Sequence, residues 1–139
     1  MFSYKPLVET MIKRSMIIDD LAKVLKIDRT TIYKEFGGES IQLRTDTLGN
    51  VCKALNCGVN EIIEWREDKV VGVGLITVDW EKVKEVIKAK GYSCKKLSLD
   101  AGLSFMTIAN AIRLNQKINV FNLLKICKLL DLDIYEVVK

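Results

Sequence analysis

The sequence predicts an all-α protein built as two tandem five-helix domains, each holding a helix-turn-helix, joined by a short extended or β linker. Three observations predict it. Among 139 residues, 49% are hydrophobic, with 8 Gly and 1 Pro, a composition suited to an ordered helical globule and not to disorder. Apolar residues recur at three- and four-residue spacing through most of the chain, the spacing of one helix face. The pattern then occurs a second time. Placing Leu21 on Leu97 also places Glu9 on Glu85, Met11 on Ile87, Ile27 on Leu103, Thr31 on Thr107, Ile32 on Ile108 and Phe36 on Ile112. After one residue is lost in the next loop, Leu48, Val51, Cys52, Lys53 and Leu55 meet Leu123, Ile126, Cys127, Lys128 and Leu130. Apolar positions and turns kept in step through five elements indicate an internal duplication.

In the first domain, residues 1–65, a short lead-in precedes Pro6, which suits the first turn of a helix because its missing N–H is not needed there. Leu7, Val8, Met11 and Ile12 stripe that helix, expected to end near Ser15. Met16 to Ile18 turn the chain. Asp19 and Asp20 then favour the start of a second helix, whose backbone dipole stabilises negative charge, and Leu21 and Leu25 give it an apolar edge. Asp28 is expected to cap the third helix with its carboxylate, Ile32 and Phe36 to face inward, and Gly37-Gly38 to stop it. A polar loop, Glu39 to Arg44, leads to a fourth helix with Leu48, Val51, Cys52 and Leu55 inward. Asn60 is expected to cap a short fifth helix carrying Ile62, Ile63 and Trp65.

Residues 66–78 change character. Arg66-Glu67-Asp68-Lys69 is a charged hinge, and Val70 to Val78 is β-branched and dotted with glycine, which suits an extended strand or linker. So apolar a strand should be covered, by one lobe or by its twin in a dimer. Its Gly-x-Gly lacks a following Gly-Lys-Ser/Thr, so a phosphate loop is not indicated. Trp65 and Trp80 flank this stretch and are expected to pin it. The second domain, residues 79–139, repeats the first.

Charge permits nucleic-acid binding without requiring it. The net charge is +4, and all of the excess lies in residues 79–139, with 11 basic and 7 acidic side chains against 9 and 9 in residues 1–65. Cys52, Cys57, Cys94 and Cys127 form no C-x-x-C pair and there is no His, so neither a zinc site nor another metal or cofactor is expected. Cys52 and Cys127 take matching inward places and should be core thiols of a reducing compartment. No leader and no apolar run near the ~20 residues that span a bilayer is visible, which points to a cytoplasmic protein without a membrane partner. No nucleophile–base set or close carboxylate pair suggests an enzyme.

The polar face of the third helix carries the binding chemistry. Arg29, Thr30, Thr31, Tyr33 and Lys34 can reach base edges and phosphates together: Arg pairs with guanine, and Thr offers a hydroxyl and a methyl. Lys23 on the preceding helix and Lys95 on its counterpart add charge for phosphates. The matching helix of the second domain offers Phe105, Met106, Thr107, Ala109 and Asn110. Thr107 and Asn110 could read bases, whereas Phe105 and Met106 suit core packing, a protein partner or a thymine methyl. Lys82, Lys84, Lys88, Lys90, Lys95 and Lys96 crowd the start of this domain, either as phosphate contacts or as a solvated helix face.

Two five-helix lobes with these residues resemble the Cro/C1-type (Xre-like, lambda-repressor-like) helix-turn-helix family, duplicated in tandem. In the first lobe the resemblance rests on Ser3 to Leu7, Leu21-Ala22, Ile27 to Ile32 and Val51 to Cys57; in the second, on Leu97, Ala101 to Ser104, Thr107-Ile108 and Ile126 to Leu130. The combination is similar to the small stand-alone regulators of Gram-positive genomes and their prophages. It implies sequence-specific binding of double-stranded operator DNA and control of transcription, usually as a two-fold symmetric dimer. Two departures stand out. The family's frequent Gln early in helix two is replaced by Ile18 and Cys94, and its inter-helix Gly is kept as Gly102 but replaced by Lys26, which must accept strain or a different turn. The competing reading is a helix-turn-helix module that binds protein, such as an antitoxin, anti-repressor or phage inhibitor, through Phe105 and Met106.

Overall fold

The computed structural model describes residues 1–37 and 45–139. The expected loop at Glu39–Arg44 and the stop at Gly38 lie outside the described residues. The described chain is mostly helical, with four two-residue strands, and divides into two compact units, Met1–Gly74 and Leu75–Lys139.

The first unit runs β1 (Phe2–Ser3), α1 (Lys5–Lys13), α2 (Ile18–Leu25), α3 (Arg29–Phe36), α4 (Thr45–Leu55), a 3-10 turn (Val59–Glu61) and β2 (Glu64–Trp65). Pro6 sits in the first turn of α1, as its chemistry favours. Leu7, Val8 and Met11 of α1 join Leu21, Ile32, Phe36, Val51, Leu55 and Ile62 in the core. The Asp20 carboxylate accepts from the Ile17 N–H at 3.0 Å and so satisfies one of the donors left over where α2 begins. Ile18, expected in a turn, is instead the buried first residue of α2.

Most of the helices end in one way. Lys26 follows α2 in the left-handed region (φ 58°), and the Ile27 N–H reaches back to the Ala22 carbonyl at 3.1 Å, forming a Schellman cap. Ser15, Asn56, Gly91, Gly102, Asn115 and Asp131 turn the chain in the same left-handed way after α1, α4 and the helices of the second unit described below. Among the described helices of eight residues or more, α3 is the exception. Its cap residue, Gly37, is extended, and its last carbonyl, Phe36, accepts from the Val73 N–H at 2.8 Å.

That bond belongs to a strap formed by residues 70–74. The Tyr4 N–H donates to the Val71 carbonyl at 2.8 Å, the Val71 N–H donates to Ser3 Oγ at 2.8 Å, and Val71 and Val73 are buried. The stretch 66–78 is therefore divided between the units: Val71 and Val73 are covered within the first, and Leu75 onward, Val78 included, belongs to the second. Gly72 and Gly37 permit the close approach. A Cβ on Gly37 would lie 2.5 Å from the Val73 carbonyl oxygen, and one on Gly72 would lie 2.9 Å from that of Phe36.

The second unit runs β3 (Leu75–Ile76), α5 (Trp80–Ala89), α6 (Cys94–Ala101), α7 (Phe105–Leu114), β4 (Ile118–Asn119), α8 (Val120–Leu129) and α9 (Ile134–Val137). β3 pairs antiparallel with β4, Leu75 opposite Asn119, and Val78 bridges Val138. Trp80, Val83, Leu97, Ile108, Leu123, Ile126, Ile134 and Val137 form the core. Side chains of Asp79, Ser93, Asn119 and Asp133 cap α5, α6, α8 and α9.

Several expectations are corrected. Asp28 precedes α3 but its side chain makes no cap bond. The fifth helix of the first unit is only the 3-10 turn, started by Gly58 and not Asn60, and Glu64–Trp65 then pairs as a strand with Phe2–Ser3. Trp65 is 62% exposed, its ring edge-on to Phe2 at 5.2 Å, so it pins nothing in the core. Trp80 is buried and donates from Nε1 to the Gln116 carbonyl at 2.8 Å, inside the second unit. Cys127 is a core thiol, but Cys52 is only half-buried.

Candidate nucleic-acid interface

The turn at Lys26 brings α3 off the end of α2, and the Arg29 side chain at its start reaches Asp19 in the first turn of α2. Burial of Ile32 and Phe36 fixes the rotation of α3 and leaves Arg29, Thr30 and Lys34 exposed, with Thr31 and Tyr33 half-buried. Arg29 and Tyr33 fall one helical turn apart, as do Thr30 and Lys34, so the two rows lie side by side on the face turned away from the core.

Arg29 is held by an ion pair to the neighbouring helix. Its Nε lies 3.1 Å from Asp19 Oδ1 in the first turn of α2. The side chain of Tyr33 first, and the negative charge of Asp19 second, raise the guanidinium pKa further above its ordinary value. The guanidinium is fully charged at any pH of interest, so the consequence is geometric. Asp19 escaped the sequence reading as a member of this group. Only its dipole role was visible, because contact with Arg29 depends on how two helices cross and not on spacing along the chain. Lys23 is exposed on α2, the helix that contributes Asp19.

The corresponding residues of the second unit are arranged differently. Phe105 and Met106 are 49% and 55% exposed, which removes the possibility that they are core residues of their unit. Thr107 is exposed, and the Asn110 side-chain oxygen accepts from Arg113 at 3.2 Å. An open groove of about 360 Å³ brings together Met106, Thr107 and Asn110 of α7 with Leu75, Lys117 and Asn122. Lys95 is exposed on α6, and Lys96 lies 5.5 Å from the centre of the Tyr92 ring, a cation–π distance. Lys84 is paired with Glu81 at 3.1 Å.

Among the described residues, no three His, Cys, Asp or Glu side chains group as a metal site, and no helix is long and apolar enough to cross a membrane.

A short helix, a left-handed turn and a second helix with an exposed polar face define a helix-turn-helix protein. Residues 7–68 match the Cro/C1-type HTH DNA-binding domain family, which supports one helix-turn-helix domain in the first unit. The match ends just before the strap at residues 70–74. No curated protein and no solved structure matches the chain.

Proposed function

We propose that this chain is a sequence-specific, DNA-binding transcriptional regulator of repressor type, of bacterial or prophage origin and cytoplasmic. In this reading α3 enters the major groove, where Arg29, Thr30, Thr31, Tyr33 and Lys34 meet base edges and phosphates and Lys23 meets the backbone. The observation that carries it is the exposed, cationic face of α3 within the span of the matched DNA-binding domain. Double-stranded DNA is the partner, and no catalysis is assigned.

The second unit is proposed to be a duplicate of the first, used for a second half-site or for dimerisation. Support comes from matching places: Leu21 and Leu97, Ile32 and Ile108, and Ile62 and Val137 are all fully buried. Lys26 and Gly102 share the left-handed turn between paired helices. Thr107, Asn110 and Lys95 would then be its DNA contacts.

One observation favours a second reading, in which the second unit binds protein. Met106 and Leu75, 55% and 72% exposed, line one groove, with Phe105 beside Met106 on α7. Apolar side chains exposed together more often meet a partner than remain in water.

Selection of bound duplexes from a random pool by the intact chain, followed by a salt titration on the enriched sequence, decides between them. A DNA reader enriches a motif and loses affinity steeply with salt. A protein-binding module enriches nothing.

A further inference from the structure

We propose that Asp19 is a positioning residue for Arg29. It holds the guanidinium so that its remaining N–H edge presents to guanine, making one G·C pair the most strictly read position of the bound site. The inference rests on the DNA-reading role of α3 given above.

A guanidinium carries five N–H donors in a rigid plane. Asp19 Oδ1 lies 3.1 Å from Nε, an ion pair on that side of the plane. The four donors on the terminal nitrogens remain. The anchor comes from a different helix, the first turn of α2, so it limits how the guanidinium can tilt. A side chain already held loses less freedom on binding and tolerates fewer geometries when bound. In the major groove, guanine offers two adjacent acceptors, O6 and N7, which a guanidinium matches with parallel N–H bonds.

Asp19 also lies in the first turn of α2, where the helix dipole favours its charge, but that role needs no contact with Arg29. Its ion pair with Arg29 is half exposed on both sides, where such pairs contribute little to folding. Ile18 beside it is buried and offers no polar group to Arg29 or to a phosphate. A carboxylate next to the reading face weakens attraction for every duplex alike, so what it adds falls on discrimination.

The test uses the intact chain carrying Asp19→Ala or Asp19→Asn, each also combined with Arg29→Ala. Affinity is measured for the duplex enriched by the wild type and for its single-base variants, and the Arg29 Nε–H resonance is followed in the free protein. The proposal predicts that Asp19→Ala lowers the preference for one G·C pair about tenfold, the lower end for a bidentate base contact. Affinity for the duplex lacking that pair should hold or rise. Asp19→Asn should keep most of the preference. In the Arg29→Ala background neither change should alter any preference. The Nε–H resonance should be protected from exchange in the wild type and lose protection in Asp19→Ala. An unchanged base preference, with all duplexes bound more tightly alike, would overturn the proposal and leave a simple surface ion pair. A protected Nε–H in a wild type that selects no duplex would remove the DNA-reading role itself, and the positioning role with it.

Discussion

The Val73 N–H donates to the Phe36 carbonyl at 2.8 Å, so the last residue of α3 is capped by the strap that follows the helices of its unit in sequence. The other long described helices close their own C-termini through a left-handed residue. α3 borrows its cap from the strap. The same strap is bonded to Ser3 and Tyr4, so the C-terminus of α3 is tied to the start of the chain through two layers of backbone.

Glycine is required where the strap crosses. Gly37→Ala would drive a methyl to within 2.5 Å of the Val73 carbonyl oxygen and 2.6 Å of that of Tyr33, both backbone atoms that cannot swing aside. Urea unfolding should show a loss on the order of 1–3 kcal/mol, typical of overpacking. Gly72→Ala should behave similarly. Gly49, inside α4 with nothing within 4 Å of an added Cβ, is the control: Gly49→Ala should stabilise by roughly 0.5–1 kcal/mol.

Lys26 and Gly102 turn the chain alike, at φ 58° and 71°, yet only one of them has a side chain. Both positions are exposed, so packing does not confound the comparison. Lys26→Gly should raise thermal stability by on the order of 0.5–1 kcal/mol, the left-handed strain of an L-residue less the entropy lost by glycine. Gly102→Ala should lower it by about 1–2 kcal/mol.

Tyr4 is 2% exposed, with its ring edge-on to Phe36 at 5.0 Å. Burial first, and the charge of Glu35 second, push its hydroxyl pKa above the ordinary value of 10.0. Above that pH the unfolded chain releases the Tyr4 proton while the folded chain keeps it. The native state then binds more protons, and stability falls as pH rises. Below that pH the shift contributes no pH dependence. Chemical denaturation at pH 8 to 11 should show the decline, and Tyr4→Phe should make it shallower.

The helices were legible because burial repeats along them. Leu7, Val8 and Met11, or Leu123, Ile126 and Cys127, announce a face through spacing alone. The two-residue strands and the strap were not, since two residues display no period. The valines of residues 70–73 read equally well as linker or strand until their partners, Ser3, Tyr4 and Phe36, are known. Caps were legible only in part. Asp28 has the right side chain in the right place and makes no cap bond, whereas Asn119 and Asp133, never singled out, do. On the site, the spacing of Ile32 and Phe36 was enough to expose Arg29 and Lys34. Asp19 could not be paired with Arg29 without the crossing of α2 and α3. The exposure of Phe105 and Met106 likewise needed the fold, because their spacing suits a core face as well as an open one.

The central claim is that α3 reads base pairs, and the most direct measurement is duplex selection from a random pool by the intact wild-type chain and by Arg29→Ala, side by side. The account predicts a motif for the wild type. In Arg29→Ala it predicts the same motif with preference relaxed at one G·C position, at a cost of about 1–3 kcal/mol for the wild-type duplex. An identical motif and affinity in the two proteins would contradict it.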